Sequence, residues 1–71
     1  MNKSANYSLT QIKTASDALG FATMAELSVE LNIAYSAIRA YADGHEIRQP
    51  ERVRLEEVVN YGLNKAKGVV K

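Results

Sequence analysis

Cysteine is absent from this chain of 71 residues, and histidine, proline and phenylalanine occur once each. Without cysteine there is no disulfide and no thiolate-bound metal. A single imidazole, His45, cannot build a metal site alone. No apolar run approaches the ~18 residues of a membrane span, and no signal-peptide pattern opens the chain. A cytoplasmic location with no membrane partner is the expectation. Neither sign of charge dominates, since nine basic residues face eight acidic ones for a net charge of +1. A glycine-rich phosphate loop, internal repeats and low-complexity segments are also missing. His45 stands alone in a predicted loop, and Ser36 has no histidine nearby in sequence, so an activated nucleophile is not in view. Glu56 and Glu57 are adjacent and diverge by ~100° on a helix, a poor acid/base pair. These absences argue against an enzyme and give no reason to expect a cofactor, a metal or a small-molecule substrate.

What the chain does have is helical periodicity. A hydrophobic share of 46% is ordinary for a globular protein. At this length only ~60% of the unfolded surface is buried, so good packing or dimerisation is needed. The expected fold is all-α: one compact four-helix domain over residues 1–71, with mobile ends at about 1–7 and 67–71. Ser8-x-x-Gln11 is a capping box that opens a first helix. Leu9, Ile12, Ala15, Ala18 and Leu19 follow at helical spacing, and Gly20 closes it. Phe21 is expected to pin the corner into the core. Thr23-x-x-Glu26 is a second capping box, starting a helix at Met24. A third helix spans about Tyr35 to Ala42 and stops at Asp43-Gly44, and Ile47 anchors the loop that follows. Pro50 suits the first turn of a fourth helix reaching about Ala66. Arg52 with Glu56, and Arg54 with Glu57, can pair along its surface.

The chain is organised around Met24 to Tyr41. Leu27 and Leu31 lie four apart on one helix face, and Ile38 and Tyr41 lie three apart on the next. Ile33 sits just past the corner. Ser28 is small where two helices must meet, and Asn32 is a residue that tolerates a left-handed backbone. This pattern resembles the helix-turn-helix of lactose-repressor-type headpieces and phage Cro-like repressors. The resemblance covers roughly Thr23 to Asn64. Asn32 stands where that family usually has Gly, Ser28 where it has Ala, and Ala34 where it has a capping Ser or Thr. The last departure leaves an orphan amide, at a cost of about 1 kcal/mol.

The resemblance implies sequence-specific binding of double-stranded DNA by a small transcriptional regulator, a repressor of phage or plasmid type. The third helix would lie in the major groove and present Tyr35, Ser36, Arg39 and Ala40 to base edges. Arg48, Lys65 and Lys67 would contact phosphates. The charge distribution bears on this, because residues 1–44 carry net −1 and residues 45–71 net +2. The basic end suits phosphates, but lysines are also favoured at helix C-termini. Lys3 can belong to a DNA-reaching arm or to a frayed terminus. Helix four carries a broad apolar stripe, of which Leu55, Val59, Gly62 and Leu63 are expected to form a homodimer seam. The alternative is that the whole stripe covers the other helices. A second functional reading keeps the same scaffold as a protein-interaction module that does not bind DNA.

Overall fold

The computed structural model describes residues 6–68. Four helices follow one another: α1 (Leu9–Ala18), α2 (Met24–Leu31), α3 (Tyr35–Ala42) and α4 (Gln49–Ala66), with no strand among the described residues. The Ser8 box forms as its sequence dictates. Ser8 Oγ accepts from Gln11 N at 3.1 Å, and Ser8 N donates to Gln11 Oε1 at 2.8 Å. The second box is only half formed. Thr23 Oγ1 accepts from Glu26 N at 3.2 Å, but the Glu26 carboxylate takes its proton donor from Ala22 N one residue upstream, at 3.0 Å.

Helix ends are set by backbone geometry. Asn32 adopts φ 58 and ψ 42, and Ile33 N then donates to Ser28 O at 3.0 Å while Asn32 N donates to Val29 O at 3.1 Å. This pattern satisfies the last carbonyls of α2 and folds the chain back on itself. The turn drives Ile33 inward, where it is 2% exposed. Phe21 after α1 and His45 after α3 make the same backward bond, to Ser16 O at 3.1 Å and Ala40 O at 3.0 Å. No side chain caps α3 at Ala34, as the missing Ser or Thr implies.

The core is Ile12 and Ala15 of α1, Leu27 and Leu31 of α2, Ile33 in the corner, Ile38 and Tyr41 of α3, and Leu55 and Val59 of α4. Phe21, Ile47, Val58 and Leu63 are half-buried against it. The main packing is α1 on α4. Gly62 makes it possible, since a Cβ built there would lie 2.7 Å from both Ala15 Cβ and Ala15 O.

Three expectations are corrected here. The dimer seam is the first: Leu55 and Val59 are fully buried, Gly62 lies against Ala15, and Leu63 is half-buried on the core. Such a small domain has one long helix with which to close itself, and the centre of its stripe is used inside the chain, while Val53 and Tyr61 beside it stay exposed. Arg54 does not pair with Glu57; its Nε donates to Leu31 O at 3.2 Å and so holds the end of α2. The N-terminal segment is fastened as far back as Asn6. Asn6 Nδ2 donates to Tyr41 O at 2.9 Å and His45 O at 3.2 Å, and Tyr7 N donates to Tyr41 Oη at 3.2 Å. The remainder of the expected mobile ends, with Lys3 and Lys71, lies outside the described residues. At the other end α4 stops at Ala66, and Lys67 and Gly68 form a turn.

Candidate nucleic-acid interface

The outward face of α3 follows from which of its residues the core takes. Ile38 and Tyr41 are fully buried, so Ser36, Arg39 and Ala40, about 100° to 160° away from both around the helix, turn from the core, while Tyr35 lies only about 60° from Ile38 at the helix start. Tyr35, Ser36 and Arg39 are exposed and Ala40 is half-buried at the edge of this face. Of the four residues assigned to base contact, three therefore stand free and the fourth only partly. Tyr35 is 44% exposed, its ring standing at the start of the helix. Arg39 makes no ion pair with Asp43. Among the described residues the one ion pair is Arg52–Glu56, 3.7 Å apart on the surface of α4, a type that contributes little.

The orientation of α3 is fixed from behind. Tyr41 Oη donates to Glu56 Oε2 at 2.7 Å and accepts from Tyr7 N. Burial, with a smaller contribution from the Glu56 carboxylate, pushes the Tyr41 phenol up from 10.0 to about 12. The hydroxyl thus stays protonated and keeps donating at any physiological pH. Three parts of the chain, the segment before α1, the last turn of α3 and the middle of α4, meet at this one hydroxyl.

The three expected phosphate contacts are not gathered. Arg48, Lys65 and Lys67 are all exposed. Arg48 precedes the first turn of α4, and the lysines sit at its far end. Seventeen residues at 1.5 Å each separate Arg48 from Lys65, about 26 Å along the axis, which nearly spans a molecule whose longest extent is 30 Å. Tyr61, on the far half of α4, is 51% exposed. Asn6 and Tyr7 hold the site's scaffold with no sequence signal to mark them, and Arg54 and Glu56, expected only as members of surface ion pairs, hold it as well. Each acts on a partner 15 to 39 residues away, a pairing that local sequence spacing does not encode. Among the described residues no three His, Cys, Asp or Glu side chains gather to hold a metal, and no helix is long and apolar enough to cross a membrane. Comparison with protein families, with curated proteins and with solved structures finds no match.

Proposed function

We propose that this chain is a sequence-specific double-stranded DNA-binding domain, a small cytoplasmic transcriptional regulator acting as a repressor of phage or plasmid type. One observation carries the reading: the α2–Asn32–α3 unit buries Leu27, Leu31, Ile33, Ile38 and Tyr41 and leaves Tyr35, Ser36 and Arg39 free on one helix face. A helix that joins a tight left-handed corner to an exposed polar face is what major-groove docking needs. Two further features support it. The first turn of α3 has no side-chain cap; Ala37 N is taken by Ala34 O, which leaves the Tyr35 and Ser36 amides to meet a phosphate. Arg39 is the one cationic side chain on that face, and its planar fork matches guanine O6 and N7.

In this reading α3 enters the major groove, with base contacts from Tyr35, Ser36, Arg39 and, from the edge, Ala40. Arg48 lies one loop beyond α3 and positions it on the backbone, while Lys65 and Lys67 reach phosphates about 26 Å further along α4. The protein binds as a homodimer to an inverted repeat with half-sites about 10 base pairs apart or a multiple of that. The dimer contact uses surface other than Leu55, Val59, Gly62 and Leu63.

The test is a gel shift with DNA from the region upstream of the protein's own gene, with random competitor present. Retention against competitor is expected. Affinity should also fall steeply with salt, with a log–log slope near −0.9 for each of about four neutralised phosphates per subunit. Equal loss of operator and random DNA, or no change between low and physiological salt, would overturn the reading.

A further inference from the structure

On the side of the molecule formed by the end of α1, α2 and α4 an open groove of about 420 Å³ runs between Leu19 and Phe21, Leu27, Glu30 and Leu31 of α2, and Val58 and Tyr61 of α4. A second hollow continues it across Phe21, Ala25 and Val29. The two share Phe21 and Glu30, so they form one surface. Its banks carry two of the most exposed apolar side chains in the molecule, Val29 at 79% and Tyr61 at 51%. With Phe21 and Val58 between them, these side chains give the surface an apolar lining.

The charges on the rim are all of one sign. Glu26 and Glu30 lie four apart along α2, beside Ala25 and Val29, and Glu57 lies four before Tyr61 on α4. No lysine or arginine lines either hollow. The nearby Arg54 donates its Nε proton to the Leu31 carbonyl. A second copy docking face to face would set these carboxylates against their own images, a like-charge contact that is penalised. We infer that this groove binds a basic amphipathic segment of another protein, a helix whose apolar row lies over Phe21, Val29 and Tyr61 while its lysines or arginines meet Glu30 and Glu57. No residue of α3 lines the groove, so the site operates alongside DNA binding and does not depend on it.

The experiment uses the whole isotope-labelled chain and two 14-residue helical peptides, one of leucine and lysine, the other of leucine and glutamate. The leucine–lysine peptide is expected to shift the resonances of Phe21, Val29, Val58 and Tyr61 and to leave those of α3 in place. The acidic peptide should shift none of them. Glu30→Lys with Glu57→Lys should weaken binding of the basic peptide at least tenfold, and Val29→Ser should weaken it as well. All these sites are exposed, and melting curves confirm that the variants fold. Equal response to both peptides, shifts scattered away from the groove, or undiminished binding by the charge-reversed variant would each overturn the inference. Concentration-dependent shifts of the same residues with no peptide present would overturn it too, by making a second copy the occupant.

Discussion

Gly62→Ala sets two effects of known size against each other. Replacing a glycine inside a helix with alanine ordinarily stabilises by about 1 kcal/mol. Here the new Cβ would lie 2.7 Å from Ala15 O and 2.9 Å from Ala15 Cα, as well as 2.7 Å from Ala15 Cβ. Carbon contacts settle near 3.5–4.0 Å, so about 1 Å of room is missing. The obstructing atoms are mostly backbone and cannot rotate aside. Either α1 or α4 must shift, and with it the layer of Ile12, Leu55 and Val59 between them. Overpacking of this kind costs about 1–3 kcal/mol, and a backbone obstacle places it at the upper end. The net expectation is a loss of about 2 kcal/mol, a fall in Tm of roughly 8–16 °C for a domain of this size. Thermal and urea unfolding followed by circular dichroism measure it. Adding Ala15→Gly removes only one of the three contacts and should restore only part of the loss. An unchanged or raised Tm for Gly62→Ala would refute the close approach of α1 and α4.

Other expectations rest on single residues. Because the Tyr41 phenol is raised to about 12 in the fold against 10.0 unfolded, its contribution is fully present below pH 10 and is lost as pH rises towards 12. Two pKa units correspond to roughly 2–3 kcal/mol; urea titrations across that window should record the loss, and Tyr41→Phe should flatten this part of the profile. Asn32→Gly should be close to neutral, whereas Asn32→Ala should cost about 1–2 kcal/mol through its left-handed backbone; equal melting temperatures for the two would mean that the corner is not held at φ 58. Leu31→Ala should cost about 2–5 kcal/mol, and an unshifted melting temperature would remove Leu31 from the core. On DNA, Arg39→Ala should relax preference at one base pair per half-site, a loss of about 1–3 kcal/mol of discrimination, and an unaltered preference across single-base variants would leave Arg39 a phosphate contact only.

Much of this architecture can be read directly from residue spacing. The bounds of α2 and α3 follow from Thr23, Asn32 and the Leu27/Leu31 and Ile38/Tyr41 pairs, because caps, a left-handed corner and apolar repeats are local signals. Most of the face of α3 is legible for the same reason: once Ile38 and Tyr41 are inside, Ser36 and Arg39 must be outside, whereas Tyr35, only about 60° from Ile38, is not placed by spacing. What spacing does not reveal is which apolar stripe meets which. The stripe of α4 has the same pattern whether it covers α1 or a second protomer, and the close approach of Ala15 to Gly62, which has no local signature, sets one side of it on α1. Long-range polar bonds are equally hidden. Nothing local distinguishes Arg54, which reaches the Leu31 carbonyl, from Arg52, which pairs with Glu56 on the surface. Asn6 and Tyr7 look like a loose end because their partners lie 34 to 39 residues away.

The dominance of α1 on α4 has a consequence for how the chain acquires its structure. The helix made first has its principal partner in the last of the four, so α1, α2 and α3 leave the ribosome without the surface that completes their core. Synthesis proceeds at about 5–20 residues per second, and for the interval before Leu55, Val59 and Gly62 emerge, Ile12 and Ala15 have only their lesser contacts with α2 and α3 to close against. Closing a loop of that length is entropically slow compared with forming a single helix. Folding is therefore expected to be all-or-none and late, with the nascent chain open to proteases and holdase chaperones until α4 is out. A messenger cut short within α4 would yield a chain that is degraded, not a partly working domain.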